Sequence, residues 1–307
     1  MPALSLLGPQ RFQPTVGPAL DALDGEGALA LISAGWQERE SEVDELREHV
    51  GREVVNLRLY ARTERVLRRD PELATALQER QAQLRELQRY YRQRLNHGLD
   101  AARELQETPQ SDAHRFHQRA AIHAVRELDR QHLVALTEVH DEFESRWNPG
   151  DRPEVARHRR EIRRALRDCA ALGIAGGHVA VLLTRMRLLI PKDTLKQHTI
   201  LAWSAGAMAL GARIVLFHDH PPQGPGNPEV FDQGLGIYGG LVPLPHAARR
   251  LRLDDPVRVG LFARRFTPDL SVAFDDGGRV DRENGGWNVV SGARILHPEG
   301  DLREVGS

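Results

Sequence analysis

The sequence predicts an α/β protein, a three-layer and mostly parallel sheet interrupted by a long α-helical hairpin. Three observations predict it. Short apolar runs alternate with helical stretches over residues 1–60, glycine and β-branched alternation vanish over residues 61–152, and strand text resumes at "GIAGGH" after one further helix. The α/β body is thus expected in two pieces, residues 1–60 and 153–307, around a helical insertion at 61–152.

In the first piece, "ALSLLG", "GALALISAGW" and "REVVNLRLY" read as strands, and "TVGPALDALDG" and "ERESEVDELREHVG" as the helices between them. Such βαβ units make parallel sheets. In the insertion, Leu73, Leu77, Leu84, Leu87, Leu95 and Leu99 recur at helical steps. "ETPQSD" breaks that helix at Pro109, and Ser111 or Asp112 can cap a second one that ends at "NPGDRP". Two helices of about 35 residues at 1.5 Å per residue predict a hairpin about 50 Å long, projecting from the body. Tyr90, Tyr91 and the leucine stripe are expected at its seam, and two hairpins side by side would support self-association. A third helix, "EVARHRREIRRALRDCAAL", returns the chain to the sheet. There "GIAGGH", "TILAW", "ARIVLFHD", "GLVPLP" and "VRVGLFA" read as strands, and "LSVAFDDGG" and "GWNVVSGARILH" as an antiparallel edge.

Bulk properties narrow the function. The 307 residues carry 42 Lys and Arg against 43 Asp and Glu, with a pI near 6.9, so no global field favours nucleic acid or an anionic membrane surface. One cysteine, Cys169, excludes an internal disulfide framework. No apolar run nears the roughly 20 residues of a membrane span. The N-terminal "MPALSLLGPQ" lacks a secretory pattern, and a cytoplasmic location is expected.

In open α/β sheets, functional groups gather at the carboxyl ends of strands. Ser204 follows "HTILAW", and the small residues after it allow the sharp strand-to-helix turn that presents a nucleophile. Gly176-Gly177 end another strand, where backbone N–H groups can approach a developing oxyanion. His246 ends a third, after Pro243 and Pro245, and histidine is the base best matched to neutral pH. Arg249, Arg250 and Arg252 follow it closely, where a guanidinium fork could hold a substrate carboxylate.

These residues resemble the peptidase E (aspartyl dipeptidase) and cyanophycinase group of serine peptidases, which have a class I glutamine amidotransferase-like fold. The resemblance lies in "AGGH", "AWSAGAMAL", "FHD" fifteen residues beyond the serine, "PLPHAARRLRL" and "VAFDDGG", in order along the α/β body. It does not cover the hairpin. The resemblance implies Ser204 as nucleophile, His246 as general base, and Asp219 or Asp276 as the carboxylate orienting the imidazole. Asp219 is slightly preferred for its spacing from the serine. It also implies an oxyanion hole from the N–H groups of Gly177 and Ala205, and no cofactor. His178 stands where the family has asparagine, which makes it a specificity position.

Blander readings compete. Asp219 before "HPP" could close an Asx-type turn, and Asp276 a hairpin turn. His178, His218 and His220 invite a metal reading, but no third ligand is fixed by spacing and no metal is expected. The expectation is a serine hydrolase of small peptides or isopeptide-like amides. The rival is a scaffold that keeps the fold, has lost the reaction and works through its hairpin.

Overall fold

The structure, a computed structural model, describes residues 3–23, 27–107, 111–219, 226–283 and 285–304. The chain begins with β1 (Leu4–Leu7), α1 (Val16–Asp21), β2 (Ala28–Ile32), α2 (Asp44–Val50) and β3 (Val54–Asn56), the order that the apolar periodicity predicts. The helical middle follows as α3 (Leu59–Arg69), α4 (Pro71–Glu107), α5 (Asp112–Trp147) and α6 (Pro153–Leu166). The Ser111 hydroxyl caps α5 by accepting the His114 N–H at 3.1 Å. Pro153 opens α6, where a missing N–H is harmless. Next come β4 (Cys169–Ile174), α7 (Val179–Leu189), α8 (Lys192–Lys196), β5 (Ile200–Trp203), α9 (Ala205–Leu210), β6 (Arg213–Leu216), β7 (Glu229–Gln233) and β8 (Leu241–Pro245). α10 (Ala247–Arg250), α11 (Pro256–Phe266), β9 (Leu270–Glu283), β10 (Gly286–Leu296) and β11 (Leu302–Glu304) complete the description.

Nine strands form one sheet in the order β11-β10-β9-β1-β5-β4-β2-β3, with β8 also on β9. β1, β5, β4, β2 and β3 are parallel neighbours, and β9, β10 and β11 form the expected antiparallel edge. Alternate side chains of a strand point to opposite faces, so the central strands feed two cores. Leu6, Ile32, Ile174 and Ala202 join α7 and α9 on one face, while Leu7, Leu31 and Trp203 join Val16, Leu20 and Leu46 of α1 and α2 on the other. The result is three layers.

One feature of the sheet brings distant segments together. β8 pairs parallel with Leu270–Phe274 of β9, and β1 pairs antiparallel with Arg279–Arg282 of the same strand, while β10 takes the other edge. The C-terminal ends of β8 and β1 therefore meet at residues 275–278. There Gly8 donates its N–H to Gly278 O and His246 donates its N–H to Phe274 O.

Three expectations are corrected. "VRVGLFA" lies in α11, not in a strand: the Asp255 side chain accepts the Arg258 N–H at 3.0 Å, Pro256 takes the first turn, and Val259, Phe262, Ala263 and Phe266 are buried at helical spacing. "ARIVLFHD" contributes β6 to a separate two-stranded antiparallel sheet with β7. The hairpin does not project; α4 and α5 lie against β7 and α11, burying Leu73, Leu84, Leu95 and Leu99 within the chain. Tyr91 is inside and Tyr90 is 53% exposed, so the two tyrosines do not share a seam. The Tyr91 hydroxyl donates to Asp129 at 2.7 Å and accepts the Val230 N–H at 3.0 Å. Burial holds the Tyr91 hydroxyl well above the usual tyrosine range and pushes the His132 imidazole, stacked on Tyr91 at 4.0 Å, down to about 4. Among the described residues, no helix is long and apolar enough to cross a membrane.

Candidate active site

β5 ends at Trp203 and α9 starts at Ala205, so Ser204 alone makes the turn, at φ 51° and ψ −122°. A side chain in that region is strained by about 1–3 kcal/mol. The strain puts the hydroxyl out of both elements, and small neighbours make the turn possible. A Cβ on Gly206 would lie 2.1 Å from Ile174 O, so only glycine lets the first turn of α9 sit on the end of β4. Gly177 has φ 104°, and a Cβ there would lie 2.4 Å from Gly35 O. The ends of β2, β4 and β5 thus converge through Gly35, Gly177 and Ser204.

His246 follows β8 in the left-handed region, at φ 59° and ψ 34°. Its Nε2 lies 3.3 Å from Ser204 Oγ. Hydrogen bonds of unliganded catalytic pairs are often this loose. Burial, reinforced by the charges of Arg250 and Arg249, lowers the His246 pKa below the usual histidine value, and Asp276 and Asp275 oppose that shift. A neutral imidazole whose Nε2 faces a serine hydroxyl can accept its proton. The N–H groups of Gly177 and Ala205 make no hydrogen bond to a described residue, so both donors are unspent. A cavity of about 480 Å³ opens above Ser204 and His246, bounded by Arg11, Gly35, Trp36, Leu46 and Trp203.

The structure corrects the preferred carboxylate. Asp219 is 4% exposed and its oxygens are engaged elsewhere: Arg258 Nε donates to Oδ2 at 2.8 Å and Arg258 Nη2 to Oδ1, while the Arg252 N–H also donates to Oδ2 at 2.8 Å. This aspartate ties the end of the β6 segment to α11 and does not orient His246. Asp276 stands near the imidazole as a charge, with Oδ2 3.9 Å from Arg249, but no hydrogen bond joins it to His246. The neighbouring Asp275 holds the Ala248 N–H at 2.9 Å and Arg294 at 3.0 Å.

The other candidates divide. Arg249 is exposed, faces Asp276 and stacks on Phe12 at 5.1 Å, and Arg252 lies 3.5 Å from Asp255. The side chain of Arg250, half-buried beside His246, has no hydrogen bond or ion pair among the described residues. Burial lowers its pKa below the usual arginine value. The His178 ring caps α7, Nδ1 accepting the Val181 N–H at 3.4 Å. His220 lies outside the described residues, and neither His178 nor His218 belongs to the described group of metal-capable side chains, His297, Glu299 and Asp301.

Sequence reasoning did not single out Gly35, Trp36 or Arg11. The small residues Ser33, Ala34 and Gly35 closing a parallel strand are a usable signal for the first two; nothing in the sequence marks Arg11.

No protein-family model matches the chain, and no curated protein matches its sequence. Among solved structures, a peptidase from an acI-B1 Actinobacterium is similar at 13% identity and a TM-score of 0.48, over 100% of this chain and 96% of that one. A likeness at this level says nothing of the activity of this chain.

Proposed function

We propose that the chain is a serine hydrolase of the peptidase class, built on a class I glutamine amidotransferase-like body, that cleaves small peptides or isopeptide-like amides in the cytoplasm without a cofactor. One observation carries the reading: a strained serine at a strand-to-helix turn, with its Oγ 3.3 Å from the Nε2 of His246. In this reading Ser204 Oγ attacks the scissile carbonyl as His246 takes its proton, and the oxyanion settles on the Gly177 and Ala205 N–H groups. His246 then gives the proton to the leaving amine. Water, deprotonated by the same imidazole, releases the acyl group and regenerates the serine. Asp276 favours the transient imidazolium through its charge rather than through a hydrogen bond. A fluorophosphonate probe tests the reading directly: intact mass and peptide mapping should place the adduct on Ser204. An adduct on another serine moves the site, and folded protein that resists labelling favours the scaffold reading.

Two further outcomes follow from the charges around His246. The base must be neutral to act, and its pKa is lowered, so activity should persist below the pH at which an ordinary histidine protonates. Replacing Arg250 by Gln removes a nearby cation, raises the His246 pKa and should move the acid limb of kcat/KM to higher pH. A limb that stays put shows that Arg250 does not act on the imidazole. The same arginine, whose side chain lacks a partner among the described residues, is proposed to hold a substrate carboxylate, and His178, at the N-terminus of α7 after β4, is the second substrate-contact candidate. Arg250→Lys keeps the charge and loses the fork, so kcat/KM should fall more for an acidic substrate than for a neutral one with the same leaving group. Equal losses would assign Arg250 a structural role.

A further inference from the structure

A groove of about 640 Å³ lies between one face of α5 and the C-terminal end of α11, sharing no residue with the Ser204 cavity. Arg115, Arg119, Ile122 and Arg126 line it at steps of four, three and four residues, which places them on one side of the helix, and Arg264 faces them from α11. Among the described residues, no aspartate or glutamate lines the groove. Of these arginines, only Arg115 has an acidic partner among the described residues, Asp112. Arg126 donates to Thr267 O at 2.7 Å and Arg264 to Gln106 Oε1 at 2.5 Å, neutral acceptors that fix the guanidinium groups without cancelling their charge. The Arg119 side chain has no hydrogen bond or ion pair among the described residues.

In a chain with a net charge of −1, this is a local excess of one sign. Cations gathered at this density repel each other, and among the described residues no carboxylate pairs with Arg119, Arg126 or Arg264. Guanidinium forks match phosphate oxygens in paired hydrogen bonds. Between them, Ile122 and Pro298, together with the aliphatic stems of the arginines, offer an apolar surface for a ring. The volume is within the range of about 300–1,000 Å³ of small-ligand sites.

We infer that this groove binds an organic phosphate of nucleotide size, its phosphates held by Arg119, Arg126 and Arg264 and its ring lying on Ile122 and Pro298. The inference does not rest on the reading of Ser204. Isothermal titration of the full chain tests it, with ATP, inorganic pyrophosphate and adenosine as probes. ATP is expected to bind most tightly, pyrophosphate more weakly and adenosine undetectably. Arg119→Ala and Arg264→Ala should each weaken ATP by about tenfold or more, a change of 1.4 kcal/mol or above. The Arg119 side chain is exposed and makes no hydrogen bond or ion pair among the described residues, so its variant should melt like the wild type. Arg167→Ala, at an exposed arginine outside the groove, is the control and should leave the affinity unchanged. Absence of ATP binding at about 1 mM, binding unaffected by Arg119→Ala, or equal weakening by Arg167→Ala would overturn the site. Pyrophosphate or adenosine binding as tightly as ATP would overturn the ligand class.

Discussion

Ser204→Ala, His246→Ala and the double variant are expected to lower turnover to one common floor, about 10⁶ below the wild type. The reason is geometric. A serine hydroxyl without its base is a poor nucleophile, and the imidazole has no proton to take once Oγ is gone, so neither half of a pair separated by 3.3 Å works alone. A double variant that falls well below either single one would show independent roles and reject the pair. Stability should move the other way at the same residue. Glycine accepts φ 51° and ψ −122° without the cost borne by a side chain, so Ser204→Gly should abolish turnover while raising the melting temperature. A lower melting temperature would show that the turn is held by Ser204 contacts rather than strained against them.

Much of this site is legible in the sequence because its parts are local. Ser204 stands between an apolar strand and a run of small residues, Gly177 ends another strand, and His246 follows two prolines. What sequence cannot carry is the pairing of distant charges. Asp219 has the spacing expected of an orienting carboxylate, yet its oxygens are taken by Arg258, thirty-nine residues on, and by the backbone of Arg252. The same limit separates Arg250 from its neighbours: Arg249, Arg250 and Arg252 read alike in the sequence, and only packing shows which lacks a partner. The strand assigned to "VRVGLFA" fails for a different reason. Its short alternation of β-branched and polar residues is weaker than the helix-starting Asp255-Pro256 before it and the helical spacing of buried residues that runs on to Phe266.

The hairpin shows how far a pattern of leucines can mislead about a helix's surroundings, and one ion pair makes the point testable. Arg265 of α11 and Asp129 of α5 are 2% and 5% exposed in their side chains and meet through two hydrogen bonds of 2.7 Å. Arg265 also donates to the Tyr91 hydroxyl at 2.9 Å and to Pro228 O at 2.6 Å. One guanidinium thereby joins both long helices to the approach to β7. Truncating one partner leaves the other as a buried charge without compensation, so Arg265→Leu or Asp129→Leu should each cost about 3–5 kcal/mol in denaturant unfolding. The double variant removes both charges and should recover much of that loss, because a buried pair and an apolar replacement are often close in stability. Single losses under about 1 kcal/mol would place the pair at the surface of a loosely docked arm. The same contacts bear on deletion of residues 61–152: the body would keep Arg265 with its carboxylate and phenol gone and its burying helices removed. The shortened chain should therefore be less stable and less soluble than the full one, whereas a hairpin that merely projected would leave both properties unchanged.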